Sequence, residues 1–483
     1  MAEDNLKEKT ARGFFWGMMN NGSTQVLNLV FGIFLGRLLT PEDYGVTGVL
    51  VIFTTLAGTL QAAGFTNALV NLKHATHRDF NAVFWFNVLM SLLCYAVLFF
   101  CAPLIARFFH DPRLVLVSRV TFLSFVISSL GIARNAYMFK NLMVRETTIC
   151  GFVALITSGL VGIGMAFGGC AYWSIVGQQL TYITVLNLMR LRYSRFHPSW
   201  DIDLRPIRPM FGFAVKILIP NIINTLSQNL LTFIFGRLYP MRAVGLFNQA
   251  NNWDTKAYSF VSGMVGQVAQ PVFATVADDA DREKRVFRKM TRFTAFVSFP
   301  LMFGLAIVAE ELIVCTVSAK WIESVPLLQL LCVGGAFMPF YSLYQGLVMG
   351  QGRSDVYMWC NIGQIVLQLL LLIALHSFGI TVMVAATSAF TVLYLLVWQV
   401  QAQRKVHVSI LDAQKDIVPF ALISAVVMAA VWFVTRPLTL PAWAMLLLRM
   451  IVGGAAYVGV MKLLRVKMLD ECLAFAKQKL SKK

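Results

Sequence analysis

The sequence predicts an all-α integral membrane protein of about fourteen transmembrane helices, with two parallel six-helix repeats followed by two further helices. Three observations predict it. Hydrophobic residues make up 58% of the 483 positions and charged residues only 13%, about half the roughly 25% of a soluble domain. The apolar residues gather into fourteen runs of the length needed to cross a bilayer, about 20 residues each. One motif also occurs twice, at an offset of two hundred positions.

The motif is Asn21 followed by Gly36-Arg37-Leu38-Leu39-Thr40-Pro41-Glu42-Asp43-Tyr44-Gly45. Its second copy is Asn221 followed by Gly236-Arg237-Leu238-Tyr239-Pro240-Met241-Arg242-Ala243-Val244-Gly245. In both copies an apolar run with a polar stripe ends in Gly-Arg-Leu, turns at a proline and re-enters an apolar run. A membrane protein of two similar halves is a plan for a transporter that rocks about a central site.

The predicted spans are 14–39, 44–70, 81–103, 114–133, 147–167, 171–191, 210–238, 244–272, 293–316, 325–349, 356–377, 381–401, 417–435 and 443–464. With the N-terminus in the cytoplasm, 30 Lys and Arg fall in inner segments or at inner span ends and 7 in outer segments or at outer span ends, while Arg119, Lys216, Lys256 and Arg449 fall deeper within spans. That bias predicts an even number of spans with both termini cytoplasmic. It also accounts for the net charge of +18 without nucleic acid. Six spans per repeat keep the halves parallel. The expected division is 1–191 for spans 1 to 6, a cytoplasmic linker at 192–209, 210–401 for spans 7 to 12, and 402–464 for spans 13 and 14. A cytoplasmic tail at 465–483 reads as an amphipathic helix on the inner leaflet, or equally as a solubilising tail.

The eight scattered cysteines include no Cys-x-x-Cys and read as apolar packing residues. The first apolar run is too long for a signal peptide and lacks its cleavage site. His74 and His77 have no Cys or acidic partners, so no metal site is expected. No phosphate loop and no hydrolase motif occurs. The sequence predicts neither an enzyme nor a cofactor. Thr40-Pro41-Glu42-Asp43 reads as a helix start, with Thr as N-cap, Pro in the first turn and acids against the dipole.

Polar residues inside the spans carry the functional expectations. Asn21, Gln25 and Asn28 share one face of span 1. Span 7 repeats the pattern with Asn221, Thr225 and Gln228, and span 8 adds Asn252 among other amides. Amides facing lipid would be unmatched, so these stripes face protein or water. They either bond helix to helix or line a hydrated cavity for sugar hydroxyls. Lys256 lies near the middle of span 8, too deep to snorkel comfortably, and needs an anion or water; pairing with Asp254 is the simpler alternative. Asp254 is the one deep carboxylate suited to ion coupling. Lys216 sits nearer the cytoplasmic end of span 7. Arg37 and Arg237 occupy equivalent outer ends of spans 1 and 7, as gate cations, helix-end cations or inherited symmetry. Arg119 and Arg449 lie shallow from the outside and can reach the interface, and Arg119 joins Arg37 and Arg237 as a candidate outer-gate or cavity cation. A mostly cationic interior suits an anionic cargo such as a phosphate-bearing lipid. Pro220, Pro300, Pro326 and Pro339 are candidate hinges or static kinks.

These residues resemble a family. Gly36 through Gly45, the Asn-rich span 7, Pro300-Leu301, and Gly-Gln-Gly-Arg353 after span 10 look like the polysaccharide transporter (Wzx-type, colanic-acid-exporter-like) branch of the multidrug/oligosaccharidyl-lipid/polysaccharide exporter superfamily. The resemblance covers essentially the whole chain. It implies two lobes around a cationic cavity, with alternating access. It implies flipping of an undecaprenyl-diphosphate-linked oligosaccharide from the cytoplasmic to the periplasmic leaflet of a bacterial inner membrane, for O-antigen, capsule or exopolysaccharide. The partners it implies are that lipid-linked oligosaccharide, membrane lipids, and a polysaccharide polymerase with its co-polymerase. Related flippases place cations on helices 1, 2 and 8. Here span 8 offers Lys256, while the inner part of span 1 and all of span 2 carry no Lys or Arg. The alternatives are a multidrug or metabolite antiporter of the same superfamily, or a membrane polymerase or glycosyltransferase. The antiporter calls for more buried carboxylates, and the enzymes for a sizeable outer loop.

Overall fold

The structure is a computed structural model that describes residues 24–62, 65, 68–69, 72, 75–276, 279–406, 408–466 and 468–471, without the side chains of 213, 216, 217, 405 and 406. Among the described residues it is almost entirely helical, with no strand. The all-α membrane-type fold expected from composition is what forms. Among the described residues ten segments are long and apolar enough to cross a membrane, and the described parts of the predicted runs lie mostly on helices. The chain divides into two compact units, 1–245 and 246–483.

The first unit holds α1 (Thr24–Leu38), α2 (Pro41–Gly48), α3 (Val51–Ala62), α4 (His77–Phe109), α5 (Leu114–Lys140), α6 (Val144–Phe167), α7 (Trp173–Tyr193) and α8 (Ile207–Leu238). It also contains the first turn of α9 (Met241–Val276). Helix α2 begins as its sequence dictates. The Thr40 amide and hydroxyl both donate to Asp43 Oδ2, at 2.9 and 2.7 Å, and the Asp43 amide donates back to Thr40 Oγ1 at 3.3 Å. This reciprocal box satisfies backbone donors that a helix start leaves orphaned. Small residues let the helices approach closely. A Cβ at Gly159 of α6 would stand 2.5 Å from the Phe31 ring of α1, and one at Gly162 would stand 2.9 Å from Gln178 of α7.

Two aromatic cores close this unit. Phe53 meets Phe109, Phe122 and Phe233 with ring centroids 6.4, 6.2 and 6.3 Å apart, joining α3, α4, α5 and α8. Edge-on packing of this kind favours the ring quadrupoles. At the other end of α4, Phe196 from the segment between α7 and α8 is buried against Phe80 and Phe84. The expected linker is strapped down rather than free. Asn81 donates to the Asp201 carbonyl at 2.6 Å and accepts from the Ser199 amide at 2.9 Å, and Trp85 Nε1 donates to the Ser199 carbonyl at 2.7 Å.

The second unit takes the rest of α9 with α10 (Ala280–Ile307), α11 (Ala309–Thr316), α12 (Val325–Gly335), α13 (Met338–Gly350), α14 (Ser354–Leu375), α15 (Ile380–Val406), α16 (Ile410–Thr435) and α17 (Ala442–Leu463). Two of the four expected hinge prolines, Pro220 and Pro300, lie inside α8 and α10, while Pro326 and Pro339 lie in the first turns of α12 and α13. Span 10 is therefore broken at Ala336–Phe337, and the buried Ser298 hydroxyl of α10 donates to the freed Ala336 carbonyl at 2.7 Å.

Helices α16 and α17, which have no counterpart in the repeat, are fixed to this unit by two ion clusters. At the Lys/Arg-rich end the buried Asp416 of α16 accepts from Arg288 at 2.7 and 3.1 Å and from Arg292 at 2.6 Å, both on α10. At the other end Arg449 of α17 pairs with Glu311 of α11 at 2.5 Å and donates to Thr435 Oγ1 and the Ile307 carbonyl at 3.0 Å each. This corrects the expectation that Arg449 reaches the interface: it is buried because a carboxylate and two further acceptors meet its guanidinium. A buried charge is tolerable only with such partners. The tail expected to be amphipathic lies mostly outside the described residues. Within them, Val466 and Leu469 pack against Tyr457 and Met461.

Candidate functional site

The duplicated motif builds the first candidate site. Helix α1 ends at Leu38 and α8 at Leu238; α2 starts at Pro41 and α9 at Met241. The two copies meet. A Cβ at Gly45 would fall 1.9 Å from the Met241 carbonyl oxygen, and one at Gly245 would fall 1.6 Å from that of Pro41. Beside this crossing lies a cavity of about 420 Å³ lined by Glu42, His110, Asp111, Arg113, Arg237 and Arg242, among others. Arg113 grips Asp111 with two bonds, Nε to Oδ1 at 3.0 Å and Nη2 to Oδ2 at 2.7 Å, and reaches Glu42 at 2.8 Å. The hydrogen bond to Asp111, and then that to Glu42, holds the Arg113 guanidinium above its ordinary value, so it stays charged.

His110 ends α4 in the left-handed region at φ 56°. Arg237 Nη1 lies 2.7 Å from His110 Nδ1. A guanidinium has only donors, so in this contact the imidazole nitrogen is the acceptor. The same guanidinium lies 5.4 Å over the Phe108 ring, a cation–π contact. Of the three expected gate cations, Arg237 belongs to this cluster. Arg37 is exposed at the end of α1, and Arg119 stacks on the Phe99 ring of α4 at 4.2 Å; neither lines the cavity. Sequence reasoning missed Glu42, His110, Asp111 and Arg113 as a cluster. The usable signal was the charged turn His110-Asp111-Pro112-Arg113 between two long apolar runs.

The polar stripes divide. On α1, Gln25 and Asn28 are exposed, and Asn21 lies outside the described residues. On α8, Gln228 is exposed and Asn221 half-buried. Thr225, by contrast, is buried with its hydroxyl 3.2 Å from that of Thr59 on α3. That member of the stripe bonds helix to helix, while Gln25, Asn28 and Gln228 are exposed. Lys216 lies on α8, and its side chain is outside the description.

In the second unit, α9 carries the other candidates on two faces. Asn252 and Lys256, four apart, are exposed on one face, and the Lys256 ammonium lies 5.4 Å from the Trp253 ring centroid. Asp254, two residues from each and so on the opposite side, is only 4% exposed. It packs against Gly335 of α12, where a Cβ would come within 2.3 Å of Asp254 Oδ1. That oxygen has no hydrogen-bond partner among the described residues. The simpler alternative of a Lys256–Asp254 ion pair does not form, because the helix points the two side chains apart.

The fold and these groups define a polytopic, all-helical membrane protein with polar and charged side chains set into its helices, the build of a membrane transporter. The chain belongs to the family described as polysaccharide biosynthesis protein, whose profile matches residues 34–326. It is 25% identical over 383 residues to the teichuronic acid biosynthesis protein TuaB of Bacillus subtilis (strain 168), covering 79% of each chain. It is 25% identical over 366 residues to the lipopolysaccharide biosynthesis protein WzxC of Escherichia coli (strain K12), covering 74% of this chain and 73% of that protein. Its fold is similar to that of the lipid II flippase MurJ in an inward closed conformation, with a TM-score of 0.75 at 13% identity over 94% of this chain and all of that one. The family resemblance read from the motifs is borne out.

Proposed function

We propose that this protein is a flippase that carries an undecaprenyl-diphosphate-linked oligosaccharide across the bacterial inner membrane for surface polysaccharide assembly. In this reading fourteen spans cross the membrane with both termini cytoplasmic. Two lobes, spans 1 to 6 and 7 to 12, work by alternating access. The observation that carries the reading is the open Asn252–Lys256 face in the middle of α9, in a chain whose relatives are named for polysaccharide synthesis. An ammonium at that depth with no ion pair among the described residues is costly against lipid and calls for water and an anion. A diphosphate supplies the anion through charge-assisted hydrogen bonds.

Gln25, Asn28, Asn221, Gln228 and Asn252, with Asn21, then meet sugar hydroxyls, and Lys216 captures cargo near the cytoplasmic mouth. The cluster of Arg237, His110, Arg113 and Glu42 acts as the periplasmic gate. Asp254, buried with one oxygen that has no partner among the described residues, takes up a proton or a cation to couple transport. A polysaccharide polymerase and co-polymerase receive the product. The test is deletion of the gene in its own host. Loss of surface glycan with accumulation of lipid-linked oligosaccharide is expected, whereas normal glycan with altered drug tolerance would favour the antiporter.

A further inference from the structure

At the Lys/Arg-rich end of the second unit, two cavities share a wall. One is an apolar groove of about 580 Å³ between α9 and α10, lined by Met264, Val268, Val286, Met290 and Phe293 among others. The other, of about 440 Å³, is lined by Arg285, Arg288, Lys289 and Arg292 together with Phe420 of α16. Lys289, Met468 and Glu471 belong to both. Arg288 and Arg292 are held by Asp416, and Lys289 meets Glu471 at 2.6 Å with both side chains more than half exposed. Such an exposed pair exchanges readily with another anion. Arg285 is exposed and has no ion pair among the described residues. Four cations thus stand against two carboxylates in contact with them, beside a groove with hardly any polar surface.

We infer that this joined groove and pocket is a binding site for an anionic phospholipid of the surrounding membrane, distinct from the transported cargo. The phosphate would take the place of Glu471 on Lys289 and bond Arg285, while an acyl chain lies along Val268 and Phe293. Basic pockets between membrane helices hold anionic headgroups in this way. Size argues for a phospholipid rather than a long polyprenyl carrier. At roughly 30 Å³ per water-sized group, the groove takes on the order of twenty methylenes, about one acyl chain. The site ties the α9–α10 pair to the segment after α17, so lipid composition would set how firmly these elements hold together. The inference goes beyond the flippase reading and does not depend on what is flipped.

The experiment is a lipid titration of the purified, delipidated full-length protein, read by thermal shift and native mass spectrometry. The probes are phosphatidylglycerol, cardiolipin, phosphatidylcholine, glycerol phosphate and undecaprenyl phosphate. Anionic phospholipids should raise the melting temperature and remain bound. Phosphatidylcholine and glycerol phosphate should do neither, because one lacks the net charge and the other the chain. Arg285→Gln should weaken phosphatidylglycerol binding about tenfold, the loss of one charged contact, and Val268→Trp should weaken it as much by filling the groove. Arg288 and Arg292 are left intact because they hold Asp416. An equal response to phosphatidylcholine, unchanged binding in both variants, binding of glycerol phosphate alone, or preference for undecaprenyl phosphate would each overturn the assignment.

Discussion

Gly45 and Gly245 face one another across a helix crossing so close that neither can carry a side chain. A Cβ on Gly45 would stand 1.9 Å from the Met241 carbonyl oxygen, and one on Gly245 would stand 1.6 Å from that of Pro41. Both obstacles are backbone, so they cannot step aside as a flexible side chain would. Overpacking of a tight contact costs about 1–3 kcal/mol. Gly45→Ala and Gly245→Ala should each lower the melting temperature of the purified protein and its steady-state level. Gly454→Ala, where nothing lies within 4 Å, is the control and should leave both unchanged. Equal stability of all three would refute the crossing.

The Arg449–Glu311 pair should behave as a buried pair does. Removing one partner strands a charge, at a cost of about 3–5 kcal/mol, whereas replacing both with apolar groups of similar size is often neutral. Arg449→Met alone should therefore destabilise α16 and α17 strongly, and Arg449→Met with Glu311→Leu should recover much of the loss. Thermal unfolding of the single and double variants measures it. Absence of recovery would mean that Thr435 and the Ile307 carbonyl, rather than Glu311, fix this arginine.

Topology is the next test. Reporter fusions after Lys483 and within residues 281–289 should both report the cytoplasm, as the 30 to 7 bias of Lys and Arg requires. A periplasmic signal from either fusion would break the two parallel repeats.

The stripes make a different prediction for each member. In a cysteine-free background, Gln25→Cys and Gln228→Cys should react with small hydrophilic thiol reagents, and Asn21→Cys and Asn221→Cys should as well if one water-filled face runs along both helices. Thr225→Cys should be protected, since that position packs against Thr59. Protection of all five in folded protein would leave helix packing as the role of the stripes.

Much of this architecture was legible because it is written locally. Apolar runs of bilayer length marked the helices, and Thr40 through Asp43 marked a helix start that forms as expected. The repeat was legible as a repeat. That Gly45 and Gly245 touch one another was not, since recurrence fixes similarity and says nothing of contact. Asp416 draws on arginines more than a hundred positions earlier, and Glu311 meets Arg449 across a similar distance. Such pairs exist only after the helices pack, so Arg449 read as an interfacial cation. Asp254 and Lys256 were legible individually, but the turn of α9 sets them on opposite sides.

In the proposed flippase Lys256 helps carry a diphosphate through the membrane, and flipping in proteoliposomes measures that role. A fluorescent undecaprenyl-diphosphate oligosaccharide is incorporated with the purified protein, and the labelled fraction reachable by a membrane-impermeant quencher is followed over time. The wild type should move cargo between leaflets. Lys256→Ala should slow transfer on the order of tenfold or more at equal protein, the loss of one charged contact, and Lys256→Arg should retain part of it. Transfer by Lys256→Ala at the wild-type rate would contradict the account.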